Sequence, residues 1–219
     1  LCPCTGSGSI NISPSLSPDG QFVAFLSEKD LFSVDLYMAE TATGRIIRKL
    51  SSASSDPHID ALRYIDSSGT WSPDGEFFAY VVVANGDNEL VVVRAANGQV
   101  EDRLAFEGIG AVTNPAWSPD GRHIAFSGSV GGISDLYLFE LETGDITQLT
   151  NDKFGDLQPT WSPDGTQIAF TSDRGPETNF EMLVYSKFQL STIEVATGEI
   201  QVLPVFGNVK HINPQYSGD

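Results

Sequence analysis

Basic residues are scarce in this chain. Twelve lysines and arginines stand against 29 aspartates and glutamates, leaving a net charge of −17. A surface that acidic repels phosphate backbones and anionic lipid, so no nucleic-acid or membrane-surface partner is expected. It suits cations, basic partners or neutral ligands, and it also serves plain solubility. Cysteine is nearly absent. The only two, Cys2 and Cys4, sit in a stretch that matches nothing else in the sequence. Residues 1–9 read as a flexible leader, and a metal clip there would lack two further ligands. Redox chemistry at thiols is not expected, and cysteine usage does not fix the compartment. No apolar run reaches the length of a membrane span, so no membrane insertion is expected. Any export signal is expected outside these residues. Helical periodicity is missing throughout. So are the Gly-x-Ser-x-Gly elbow, His-Glu-x-x-His and the phosphate loop. A catalytic triad assembled by geometry alone stays open.

What the chain does contain is repetition. Ser-Pro-Asp-Gly begins at Ser17, Ser72, Ser118 and Ser162, at spacings of 55, 46 and 44 residues. A degenerate fifth copy runs Tyr216-Ser217-Gly218-Asp219. The three tryptophans, Trp71, Trp117 and Trp161, each stand directly before one of these tetrads. A period of roughly 40–50 residues signals propeller blades or a solenoid. In each unit an apolar strand ends at the tetrad. Proline then presets one turn position and glycine takes the positive φ, which makes a tight hairpin. The second strand (Phe22–Phe25, Phe77–Tyr80, Ile124–Phe126, Ile168–Phe170) does not alternate apolar with polar, so both of its faces must be buried. Alanine recurs in it at Ala24, Ala79, Ala125 and Ala169, where a neighbouring sheet would approach closely. A third strand holds Asp35-Leu36-Tyr37, Glu89-Leu90-Val91, Asp135-Leu136-Tyr137 and Gln189-Leu190-Ser191. A Thr-Gly or Asn-Gly turn follows, and a fourth strand closes near Leu50, Leu104, Leu149 and Leu203.

The expected fold is therefore all-β: a β-propeller of four-stranded antiparallel blades. Four full blades fall at about 10–50, 64–104, 113–150 and 157–203, with the start of a fifth at 212–219, all within one region 10–219. The pattern Pro-x-Trp-Ser-Pro-Asp-Gly-x-x-Ile-Ala-Phe, then Asp-Leu-Tyr, then Thr-Gly, resembles the WD40-like repeats of the TolB family. Blades of this kind also occur in tricorn-type proteases and prolyl oligopeptidases. Repeat two departs most: Gly69 replaces the proline before Trp71. The segments Asp56–Asp60, Leu62–Ser68 and Lys210–Pro214 look like propellers of large bacterial proteins in which such blades follow a metallopeptidase-like module. The resemblance implies a periplasmic or secreted location. Propellers of that family resemble closed rings with more blades, so self-association or further blades would be needed for closure. An unpaired blade face favours association.

Two columns of the repeat carry candidate site residues. One residue before the proline stand Ser13, Asn114, Gln158 and Asn213, with Ser68 equivalent. Three before it stand Val112, Asp156 and His211, with Asp66 equivalent. These side chains either satisfy backbone groups at the start of a strand or form a ligand- or cation-binding ring at a channel mouth. Asp56, His58 and Asp60 would share a face of an extended segment. Carboxylates and amides suit Ca²⁺, and adding histidine suits Zn²⁺ or Mn²⁺. Neighbours on one face of a strand lie about 7 Å apart. One ion would take all three only if the loop curls, or if Asp156 and His211 join. Arg174 would bind a carboxylate bidentately, or pair with Asp173 or a neighbouring blade. The insertion 176–187 carries Phe180, Met182, Leu183 and Tyr185, followed by Phe188; these form a partner surface or pack back on the blade. His123, beside a hairpin turn, reads as structural or solvated.

Two functions fit. The first is an extracytoplasmic binding or scaffold module recognising a protein, peptide or glycan at the channel mouth. The second is a Ca²⁺-dependent hydrolase such as a lactonase. In it Asp156, Asn114, Gln158, Asn213 and Asp66 would be ligands, and His58 or His211 the general base.

Overall fold

A computed structural model describes residues 10–29, 34–52, 61–62, 69–84, 86–204 and 209–217. These hold only strands, turns and irregular segments. The chain divides into two compact units, 1–107 and 108–219. In the first unit, β1 (Asn11–Leu16), β2 (Phe22–Ser27), β3 (Asp35–Glu40) and β4 (Ile46–Ser52) form blade one. In blade two, the short strands β5 (Ala61–Leu62) and β6 (Thr70–Trp71) share one side of β7 (Phe77–Ala84), followed by β8 (Asp87–Arg94) and β9 (Val100–Ala105). In the second unit, β10 (Ala111–Trp117), β11 (His123–Val130), β12 (Ile133–Glu140) and β13 (Ile146–Gln148) form blade three. Blade four is β14 (Asp156–Trp161), β15 (Gln167–Ser172), β16 (Gln189–Glu194) and β17 (Ile200–Val202). All pairings are antiparallel, in sequence order within each blade. Beyond the last two strands, Leu149 N–H still reaches Leu136 O (2.8 Å) and Leu203 N–H reaches Leu190 O (2.9 Å).

The Ser-Pro-Asp-Gly tetrads make the β1–β2 type hairpins, and each satisfies itself. The serine hydroxyl donates to the aspartate Oδ1 at 2.6, 2.5, 2.6 and 2.6 Å in blades one to four. The same hydroxyl oxygen accepts the amide of Phe22, Phe77, His123 or Gln167 at 2.9–3.0 Å. The aspartate in turn accepts the amide two residues on, from Gln21, Glu76, Arg122 or Thr166. Serine hydroxyls thereby hold the carboxyls of Asp19, Asp74 and Asp164 below the usual carboxylate range. Burial pulls Asp120 upward, but the Ser118 hydroxyl and the Arg122 amide outweigh it and leave it low.

The doubly apolar second strands sit in the cores. In the first unit, Ala24, Leu36 and Met38 of blade one share a core with Trp71, Phe78 and Tyr80 of blade two. In the second, Ala125 and Leu136 of blade three share one with Trp161, Ile168, Phe170 and Ile193 of blade four. Alanine leaves room for the next blade's bulky residues at that column. Each fully buried Phe or Ile contributes about 1.5–3 kcal/mol. The indoles tie blades together. Trp71 Nε1 donates to Ser15 O and Trp161 Nε1 to Ala116 O, both at 3.0 Å. Trp117 Nε1 instead donates to Gly121 O of its own turn at 3.1 Å. The departure in repeat two also has a steric reason. Gly69 has φ 127°, and a Cβ there would lie 2.2 Å from Ala79 O.

Candidate functional site

Each blade has a turn end, where the tetrad sits, and a loop end, where its second and third strands are joined. The residues before the proline begin at the loop end. Ser13, Asn114, Gln158 and Asn213 all have positive φ, 51°, 51°, 59° and 52°. In β1, β10 and β14 the pairing register shifts at this place, a β-bulge. A residue before proline is barred from the right-handed helical region, and asparagine tolerates the left-handed one best among non-glycine residues. The polar column thus has a backbone cause, and it also laces neighbours together. Gln158 N–H donates to Ser127 Oγ of blade three at 3.0 Å. Gln158 Oε1 accepts Asn213 N–H at 2.8 Å, with Thr171 Oγ1 at 3.4 Å.

Two residues further toward the loop end, Asp156 opens β14. It is fully buried, and both of its oxygens are engaged. Ser172 Oγ donates to Oδ1 at 2.6 Å, and Arg174 Nη2 donates to Oδ2 at 2.5 Å. Arg174 Nη1 donates to Asp152 Oδ2 at 2.5 Å. The Arg174 side chain is 11% exposed, its guanidinium lies 4.9 Å from the Phe154 ring, and its Nε is buried without a hydrogen-bond partner. Asp173, the sequence-adjacent candidate partner, instead accepts the Gly155 amide at 2.9 Å. Burial pushes the Asp156 carboxyl above its usual range, against the pull of Arg174 and Ser172. Burial also raises Asp135 of blade three, with the charge of Asp152 adding to it and the Thr150 hydroxyl opposing it. The result is a charge clasp. It can hold a loop, but it leaves no oxygen of Asp156 unengaged.

The clasp is the foot of the loop between β15 and β16. Thr178 Oγ1 donates to Asp173 O at 2.5 Å and accepts Ser186 N–H at 2.9 Å, while Ser186 Oγ accepts Glu177 N–H at 3.0 Å. Gly175 is required by close approach: a Cβ there would sit 2.2 Å from Ser186 Oγ. Asn179 and Val184 exchange backbone hydrogen bonds of 2.7 and 3.0 Å, closing a small hairpin. Phe180 packs edge-on against Phe154 (5.2 Å between centroids) and Tyr185 (6.3 Å). The tip faces outward, with Met182 69%, Leu183 72%, Val184 47% and Tyr185 54% exposed. The insertion therefore packs back through Phe180, while its tip is exposed.

The other sequence candidates fall as follows. His211 N–H donates to Phe188 O at 2.9 Å, and its Nε2 is buried without a partner. His123 lies 6.5 Å from the Trp161 ring and 3.9 Å from Asp120, a packing position. Asp56, His58, Asp60 and Asp66 lie outside the described residues. Among the described residues no three His, Cys, Asp or Glu side chains gather as a metal-holding group. Sequence reasoning passes over Asp152, Phe154 and Ser172. Ser172 directly precedes the Asp173-Arg174-Gly175 motif, and this adjacency was the available signal.

A family described as the TolB beta propeller domain (PD40) matches residues 59–217. The chain belongs to the TolB β-propeller family. One curated relative, the Tol-Pal system protein TolB of Hydrogenovibrio crunogenus, is 31% identical over 112 residues, covering 50% of this chain and 22% of that protein. The solved TolB of Acinetobacter baumannii is similar in fold, with TM-score 0.70 and 21% identity over 92% of this chain and 45% of that one. A structure from Agrobacterium tumefaciens carrying the TolB name gives TM-score 0.71 and 21% identity, over 93% of this chain and 69% of that one. This TolB-family chain thus spans less than half the length of the first two proteins. No helix among its described residues is long and apolar enough to cross a membrane.

Proposed function

We propose that this TolB-family propeller is an exported, periplasmic binding module that holds a protein partner at the loop end of blade four. The observation that carries the reading is a rigid mount under an apolar display. Arg174, Asp152 and Asp156 pin the foot of the loop, while Met182 to Tyr185 stand exposed at its tip. Apolar groups already held in place lose little freedom on binding, which is how a small patch gains affinity. Exposed Met and Tyr are also residue types enriched at protein interfaces. A protein partner is in keeping with the name of the Hydrogenovibrio relative, a protein of the Tol-Pal system. A Ca²⁺-dependent hydrolase would first need Asp156 released from Arg174 and Ser172, so it gains no support here.

The test is photo-crosslinking in the cells that make the protein. A photoreactive residue at Leu183 should capture a discrete protein, and one at Thr166, at the turn end of the same blade, should not. Equal capture at both sites, or none at Leu183, removes the reading.

A further inference from the structure

Cations gather at one end of blade four. Residues 108–219 contain five lysines and arginines. Arg122 follows the turn of blade three. The other four, Lys153, Arg174, Lys187 and Lys210, lie on loop-end segments of blade four and on the segment 209–217 after it. Arg174 is committed to its two aspartates. Lys153 and Lys210 are not: among the described residues neither makes an ion pair. Each ammonium stands instead over an aromatic ring, Lys153 at 5.7 Å from Phe180 and Lys210 at 5.1 Å from Phe188. Both rings belong to the loop that carries the apolar tip. In a chain of net charge −17, two exposed lysines without a carboxylate are poised to accept one from outside. Glu177 and Glu181 are exposed on the same loop, so this end is close to electrical balance. Elsewhere on so acidic a protein, an anionic segment is repelled on approach. Blade three also has an apolar loop end. Its own loop-end hairpin exposes Val130 and Ile133 at 46% and 39%.

Resting on the proposed function above, we infer that the segment received here is an acidic, apolar peptide stretch of the partner protein. Its apolar side chains meet Met182, Leu183, Val184 and Tyr185, and its carboxylates meet Lys153 and Lys210. Charge of this kind steers approach and selects the partner more than it adds affinity. An anionic polysaccharide would use the lysines but gain little from an aliphatic tip.

The experiment is selection of a random phage-displayed peptide library on the whole chain, followed by affinity measurement with the enriched peptides. Enriched sequences should be net negative and contain Leu, Phe or Trp. Lys153→Glu with Lys210→Glu should weaken them at least about tenfold, equal to 1.4 kcal/mol. Lys153→Arg with Lys210→Arg should keep binding, and Leu183→Ser should lose it. All of these positions are exposed, so an unchanged thermal transition certifies each variant as folded. Neutral or basic enriched peptides, no enrichment, or affinities indifferent to the lysine reversal overturn the inference. So does a polygalacturonate probe that binds through the lysines with no dependence on Leu183. The two readings fail separately. If Leu183 still captures its protein when both lysines are reversed, only the acidic assignment falls. If Leu183 captures nothing in the unmodified chain, both fall.

Discussion

The two ends of a blade are made by the same four strands, yet they settle their polar groups differently. At the turn end, serine and aspartate two residues apart meet at 2.5–2.6 Å, and the arrangement recurs in every blade. At the loop end of blade four, Arg174 reaches Asp156 and Asp152, 18 and 22 residues away. A closed local circuit can be copied from blade to blade without reference to its surroundings. The long-range clasp, described in blade four, depends on the register of two strands. Sameness marks the end that builds the fold, and the loop end of blade four is where the proposed recognition sits.

The largest break in this comparison should come from Arg174→Ala. It leaves Asp156 buried and uncompensated, and a loss of about 3–5 kcal/mol is expected in urea unfolding. Adding Asp156→Asn should return part of that loss, because the two residues form one coupled unit. A loss as small as that of a turn serine would make the two ends equivalent. Next in size are the turns themselves. Ser162→Ala strands the Gln167 amide and frees Asp164, costing about 1–2 kcal/mol. Ser72→Ala and Ser118→Ala should match it closely if the circuits are truly copies, as parallel denaturation curves would reveal.

Acid should separate the ends more gently. Asp19, Asp74 and Asp164 have carboxyls held below 3.8, so the stability they supply is present above that value and is lost as pH falls through it. Asp156 and Asp135 are raised, so their contribution is largest below 3.8 and declines as pH rises through their own values. Asp74→Asn should therefore flatten the acid limb of the melting temperature below 3.8, and Asp156→Asn should steepen it above 3.8. The smallest effect on folding belongs to the tip. Met182→Ser with Leu183→Ser should change stability by no more than about 0.5 kcal/mol, while abolishing capture by a crosslinker placed at Tyr185.

Much of the fold was legible because its determinants are local. The tetrad writes its own hairpin, and the alanine and tryptophan columns announce sheet-on-sheet packing. The candidate site was legible only in part. Asp156 and Arg174 both stand out as residues, but their pairing needs β14 and β15 in register and could not be seen in spacing. Asp152 lies between blades, outside every repeated column, and nothing in its neighbours marks it. The asparagine and glutamine column was visible, whereas its left-handed backbone was not, since φ is settled by the bulge and the following proline together.

The bonds from one repeat to the one before it have a consequence for how the protein is made. Trp161 finds its acceptor on Ala116, Gln158 finds Ser127, and Asn213 finds Gln158. In every case the donor lies later in the chain than the residue that receives it. During synthesis each newly emerged segment closes these bonds onto a blade that has already left the ribosome, so assembly can proceed as vectorial growth.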